Sequence, residues 1–307
     1  MKYLVTGGAG FIGSNLVDEL VKNGHKVVVL DDESSDANEE FYWNEKAENH
    51  KIDINEYEQI RCLFDGVDVV FHLAAEARIQ PSIENPLLAV KTNVLGTATV
   101  LQCAREAKVN RVIYSSTSSA YGLKNDPPLR EDMPKDCLNP YSVSKTAGEE
   151  LCLMYTELFG LETVVFRYFN VFGERQPLRG QYAPVIGIFL RQSAAGESLT
   201  IVGDGGQRRD FTHVSDVVKA NISASDMKNE KCVGNIINVG AGVNYSVNEV
   251  ASFISGGTVN LPPRPAEARE TLADTSLFYS IFGWKPRDIL KEWIKMTITE
   301  SRVGEKT

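Results

Sequence analysis

The feature that most constrains this chain is a regular alternation of short β-branched runs with longer amphipathic stretches. The runs are Tyr3 to Val5, Val27 to Leu30, Val67 to Phe71, Val112 to Tyr114 and Val164 to Phe166. Helical patterning fills the gaps, over about 11–23, 55–64, 85–108 and 141–159. Parallel strands need a long crossover between them, and a helix is the usual crossover. The alternation therefore predicts an α/β chain whose doubly wound parallel sheet is covered by helices on both faces. A helix over about 214–226 and the run Ile236 to Val239 add a further unit to that sheet.

From about residue 172 the texture changes, with more Gly, Pro, Arg and Gln and weaker periodicity. Pro262, Pro263 and Pro265 cluster ahead of a last helical region at about 275–300. This predicts two units: residues 1–172, rejoined by about 207–245, and a smaller substrate lobe of about 173–206 and 246–307. Helices 85–108 and 141–159 carry more apolar surface than one core face needs. They predict either deep burial under the second lobe or a symmetric helix-pair contact in a homodimer.

Composition excludes several classes of function. The chain has 32 Lys and Arg against 41 Asp and Glu, a net charge of −9, which repels phosphate backbones and argues against a nucleic-acid partner. Five scattered cysteines without a C-x-x-C pair, and four histidines without ligand spacing, predict free thiols in a reducing compartment and no metal site. No apolar run reaches about 18 residues and the N-terminus lacks a leader's layout, so no membrane association is expected and the cytoplasm is the expected location.

The first strand runs directly into Gly7-Gly8-Ala9-Gly10-Phe11-Ile12-Gly13 and then a helix. A tight strand-to-helix turn needs a residue tolerant of positive φ, and a pyrophosphate needs backbone with no side chain in the way. The last glycine lets the helix sit close to the sheet, with its N-terminus facing the anion. Gly7, Gly10, Phe11, Ile12 and Gly13 are thus candidate dinucleotide-binding residues of a Rossmann-type unit. Asp31, with Asp32 beside it, ends the second strand, where a carboxylate binds the adenine ribose hydroxyls and repels a 2′-phosphate. No Lys or Arg follows until Lys46, so NAD is expected rather than NADP. Asp53 and Ile54 are candidates for the adenine, Asp53 equally as a helix cap. Leu73, Ala74 and Ala75 offer small residues at a strand end, after a His72 best read as a core histidine.

The most informative segment is Asn139-Pro140-Tyr141-Ser142-Val143-Ser144-Lys145. Asn139 suits an N-cap and Pro140 the first helical position. Tyr141 and Lys145 then share a helix face. An ammonium near a phenol favours phenolate, which makes Tyr141 a candidate general base, and Lys145 can also hold a ribose. The strand before it ends in Ser115-Ser116-Thr117-Ser118-Ser119, where doubly wound sheets place their sites. Thr117 is the candidate partner of the reacting hydroxyl.

Together these residues resemble the extended short-chain dehydrogenase/reductases, and within them the nucleotide-sugar 4-epimerases. The resemblance spans the chain: the glycine turn, Asp31, His72 to Ala75, Asn93, Thr117, Tyr141 with Lys145, Arg167-Tyr168-Phe169-Asn170 and the C-terminal arginines. It implies that Thr117, Tyr141 and Lys145 form the catalytic triad and that Asn93 and Tyr168 lie on the cofactor side. It also implies that Ser118, Ser119, Asn170, Tyr182, Val185, Arg209, Arg264 and Glu267 bind a UDP-sugar. Related dehydratases carry an Asp-Glu pair after the triad Ser/Thr and related decarboxylases a Glu two positions on. Ser118 and Ser119 stand there, so the likeness favours epimerisation with NAD regenerated in each turnover. Thr271 matches a position that is Tyr in hexose-restricted epimerases and small in those taking N-acetylated sugars. The expected reaction is therefore interconversion of UDP-N-acetylglucosamine and UDP-N-acetylgalactosamine, with UDP-glucose and UDP-galactose. The alternatives are a UDP-glucuronate 4-epimerase, another nucleotide-sugar oxidoreductase, or a non-catalytic NAD-binding protein. Glu76 and the short 255–260 stretch depart from the family pattern.

Overall fold

The computed structural model describes residues 1–35, 38–178, 184–254, 256–263 and 268–304. Seven strands form the main sheet: β1 (Lys2–Thr6), β2 (Lys26–Asp31), β3 (Glu48–Lys51), β4 (Val69–His72), β5 (Arg111–Thr117), β6 (Glu162–Tyr168) and β7 (Ile236–Val239). All pair in parallel, in the order β7-β6-β5-β4-β1-β2-β3. The chain winds outward from β1 to β3, returns to β4 on the other side of β1, and winds outward again. The crevice where the winding reverses lies beyond the carboxyl ends of β1 and β4, aligned by the register Thr6 to His72.

The central strands are buried along their length, so they read as apolar runs without alternation. One face packs helices Phe11–Lys22, Val214–Ala224 and Ser276–Phe282 over Val5, Val29, Phe71 and Phe166. The other face packs helices Pro86–Glu106 and Pro140–Phe159 over Leu4, Val70, Val112 and Val165. A separate apolar cluster joins Phe172, Ile186, Phe189, Phe211, Val250 and Leu290, beside three short strand pairs.

Three elements differ from the pattern expected of the sequence. β3 is Glu-Asn-His-Lys on the sheet edge, largely exposed, so no apolar run marks it. The last helical region is two helices, Ser276–Phe282 ending at Gly283 with φ 72° and Leu290–Gly304, because Pro286 stands between them. The helix Pro86–Glu106 is long and apolar enough by composition to cross a membrane, yet its inner side is part of the core. It contains a π-turn at Lys91–Leu95, which swings Asn93 inward.

The glycine turn after β1 is tight on both sides. Gly7 has φ 67°, and a Cβ there would lie 2.7 Å from the Ala74 nitrogen. A Cβ at Gly13 would lie 2.0 Å from the Gly7 carbonyl oxygen. Backbone rather than side chain blocks both positions, so neither clash relaxes by a rotamer change. Gly13→Ala is therefore expected to cost about 1–3 kcal/mol in chemical denaturation and to release bound dinucleotide.

Candidate active site

A single cleft of about 520 Å³ runs from the glycine turn to the end of β5. At one end lie Gly7, Gly10, Phe11, Ile12 and Gly13, with the helix Phe11–Lys22 pointing its N-terminus at the cleft. Asp31 is nearly buried beside them and braced by backbone. Its Oδ2 accepts the Ala9 N–H at 3.0 Å and its Oδ1 the Glu33 N–H at 2.9 Å. Burial raises its proton affinity against the pull of those two donors. Asp32, Asp53, Ile54, Leu73, Ala74 and Ala75 line the same end. Asp32 caps Ser34, while Asp53 binds Asn55 and the Lys91 ammonium. Burial works against the Asp53 carboxylate, and these bonds nonetheless hold its pKa below the usual range.

At the other end Thr117, Ser118, Ser119, Tyr141, Lys145, Tyr168 and Asn170 line the cleft. Their placement follows from local structure. The Asn139 side chain accepts the Ser142 N–H at 2.9 Å and Pro140 opens the helix, so Tyr141 sits in its first turn. Tyr141, Lys145 and Glu149 then follow one another on the face turned to the sheet. Glu149, fully buried, takes two bonds from Arg167 of β6 at 2.8 and 2.7 Å and one from Ser116 of β5 at 2.6 Å. Lys135 lies 3.1 Å from the same carboxylate. Burial opposes the charge on Glu149, and the Arg167 bonds override it, so its pKa lies below normal. Tyr168 is fixed by Ser115 at 3.1 Å and Asn221 at 2.8 Å.

The electrostatics of this end differ from the simple Tyr–Lys picture. The Lys145 ammonium lies 4.4 Å from the centre of the Tyr114 ring, and burial lowers its pKa to about 7. Burial raises the Tyr141 pKa, while the Thr117 hydroxyl and the charge of Arg78 draw it back. Arg78 thus lies within reach of the phenol's charge, a cation that the Tyr141–Lys145 spacing does not indicate. Arg78 lines the cleft and is the residue that sequence reasoning missed. No motif marks it, since it reaches the site only because a short helix starts at Ile79.

Several further residues lie off the cleft lining, among them His72, whose core placement the sequence already indicates. His72 is a core histidine, bonded to Thr6 Oγ1 at 2.7 Å and Thr97 Oγ1 at 3.0 Å, and burial drops its pKa to about 3. Asn93 sits behind the cleft wall, where its side chain clasps the Glu76 backbone at 2.8 and 3.0 Å and Ser144 Oγ at 2.9 Å. Val185 begins the helix Val185–Ala194 and packs on the second apolar cluster. Arg209 donates to the Arg208 carbonyl at 2.9 Å. Thr271 lies 3.5 Å from Asn170 Nδ2, one residue back from the cleft. Tyr182, Arg264 and Glu267 lie outside the described residues.

The reversal crevice, the glycine cradle that any Cβ would fill, and a braced acid at the end of β2 define a dinucleotide-binding enzyme fold. The chain belongs to the NAD-dependent epimerase/dehydratase family, whose profile matches residues 3–240. A UDP-glucose 4-epimerase of Mycolicibacterium smegmatis is 36% identical over 309 residues, 97% of each chain. The UDP-glucose 4-epimerase of Thermotoga maritima, solved with UDP-glucose, superposes with a TM-score of 0.91 at 33% identity and 99% of each chain. The UDP-N-acetylglucosamine 4-epimerase of Methanobrevibacter ruminantium, solved with UDP-N-acetylmuramic acid, gives a TM-score of 0.89 at 32% identity, covering 97% of this chain and 98% of that one.

Removing one partner of the buried Glu149–Arg167 pair leaves an uncompensated charge. Glu149→Ala should therefore destabilise the fold by about 3–5 kcal/mol in urea denaturation. Replacing both residues by apolar ones of similar volume should recover much of that loss.

Proposed function

We propose that this protein is an NAD-dependent 4-epimerase of UDP-sugars, interconverting UDP-N-acetylglucosamine and UDP-N-acetylgalactosamine and also UDP-glucose and UDP-galactose. The observation that carries the reading is the shared cleft: a cradle for NAD at one end, and Thr117, Tyr141 and Lys145 at the other. Hydroxyls rather than carboxylates stand at Ser118 and Ser119, directly after Thr117. This arrangement suits proton exchange at one sugar hydroxyl, not elimination of water, which calls for an acid at those positions.

Bound NAD supplies the place to which a hydride leaves and from which it returns. The chain does the rest. Tyr141 takes the proton of the sugar C4 hydroxyl, with Thr117 hydrogen-bonded to the reacting oxygen. Lys145 orients the nicotinamide ribose, and Tyr168 closes the cofactor side. The cleft would have to let the 4-keto sugar present its opposite face, and Tyr141 returns the proton to the same oxygen. Asn170 and Arg209 hold the phosphates, joined by Arg264, Glu267 and Tyr182 around the uridine. The small Thr271, beside Asn170, supports an N-acetylated sugar on the strength of the family resemblance.

Assembly and location follow from the same reading. Leu87, Leu95, Val143, Met154 and Leu158 are exposed on the two packed helices, an apolar surface that fits a second copy in a homodimer. All five cysteines are free, which suits the cytoplasm.

Incubated with a panel of UDP-sugars and no added reductant, the protein should equilibrate UDP-N-acetylglucosamine with its 4-epimer without net NADH absorbance. Turnover confined to UDP-glucuronate would transfer the assignment to the uronate. Tyr141→Phe should lower turnover by about a hundredfold or more and keep its NAD; full activity in that variant removes the base.

A further inference from the structure

Arg78 and Glu76 are cleft residues that the proposed chemistry leaves unused. Both are anchored to the helix that carries Tyr141. The Tyr141 backbone N–H donates to Ser82 Oγ at 3.0 Å, Ser82 Oγ donates to the Ile79 carbonyl at 2.6 Å, and the Ser82 N–H donates to the Arg78 carbonyl at 3.3 Å. The helix Ile79–Glu84 is thereby fastened to Tyr141, with Arg78 at its start. Glu76 is tied by its backbone to Asn93, and Asn93 to Ser144 on the Tyr141 helix. Two separate sets of hydrogen bonds thus tie the backbones of Arg78 and Glu76 to the helix that carries Tyr141.

The Arg78 Nε is enclosed and has no hydrogen-bond partner. A charged nitrogen enclosed without a partner is costly unless opposite charge lies near it. Two groups within reach of its charge can supply that: the Glu76 carboxylate, and Tyr141 once it is ionised. The relation is reciprocal, since a cation that is better compensated beside a phenolate must also favour that phenolate.

We propose that Arg78 and Glu76 are positioning residues for the reaction, an opposed charge pair held against Tyr141, in which Arg78 favours the phenolate and Glu76 limits it. The proposal deepens the epimerase reading and rests on it for the role of Tyr141. In the step concerned, the sugar O–H bond breaks onto the phenolate oxygen while the carbon-bound hydrogen leaves with its electron pair for NAD. The proton returns by the same path. Of the other groups near Tyr141, Thr117 of β5 bonds it, Lys145 of its own helix and Tyr168 of β6 share the cleft, and Tyr114 of β5 lies within reach of its charge. Of these, Lys145 titrates near neutrality, so its charge fades as pH rises, whereas the Arg78 charge persists.

The sign is testable in both directions. Removing the Arg78 charge should raise the pH at which Tyr141 ionises, and removing the Glu76 charge should lower it. The readout is the phenolate absorbance of the NAD-loaded protein, taken as the difference from Tyr141→Phe, which needs no substrate. Arg78→Gln should move the titration upward by about half a pH unit or more, Glu76→Gln should move it downward, and Arg78→Lys should stay near the parent. With UDP-N-acetylglucosamine as substrate, the acidic limb of kcat should follow, about a threefold change at a fixed pH on that limb. Glu76→Gln is isosteric, so it serves where Arg78→Gln fails to fold. Absence of its downward shift, or movement of both variants in one direction, overturns the proposal. A parent protein that epimerises no UDP-sugar overturns the functional reading instead, while the absorbance titration still decides the charge pair.

Discussion

The clasp of Glu149 on Arg167 and Ser116 is the interaction on which the rest of the site depends. It joins one helix to two adjacent strands through charged hydrogen bonds from which water is excluded. Because Glu149 lies two turns beyond Tyr141 on the same face, its grip sets the helix's rotation and height over the sheet. Gly148 lets the helix come that close, since a Cβ there would lie 2.2 Å from the Tyr114 hydroxyl. A slip by one residue would turn Tyr141 and Lys145 away from Thr117. Burial of such a pair contributes little net stability, but the loss of either member is severe, and that asymmetry keeps the helix in one register.

The sheet supplies the complementary constraint. Parallel strands send all their carboxyl ends to one edge, so the turn after β1, the acid after β2, the small residues after β4 and the hydroxyls after β5 meet there without further design. The family's dependence on NAD and the braced acid at β2 are two views of this one edge.

Much of this architecture was legible in the sequence because fully buried strands and glycine-limited turns leave local signatures. The glycine run, Asp31 at its strand end, Asn139 with Pro140 at the helix start, and the shared helix face of Tyr141 and Lys145 each mark their place in the fold within a few residues. What stayed hidden depends on contacts distant in sequence. β3 is polar throughout, so only its pairing with β2 makes it a strand. Asn93 carries a family position, but a π-turn directs it to the backbone of Glu76 instead of the cleft. Arg78 enters the site through the bond between Ser82 and Tyr141, which join residues 59 apart. Periodicity cannot reveal a bond of that span.

The brace on Asp31 has a consequence for coenzyme choice. The carboxylate that would select the unphosphorylated ribose also accepts the Ala9 amide, and so shapes the loop that cradles the pyrophosphate. Selectivity and loop conformation share one side chain. Retuning the enzyme toward a phosphorylated coenzyme by exchanging Asp31 alone would loosen the phosphate cradle at the same stroke, so such redesign must supply a new acceptor for Ala9 before it adds any basic residue.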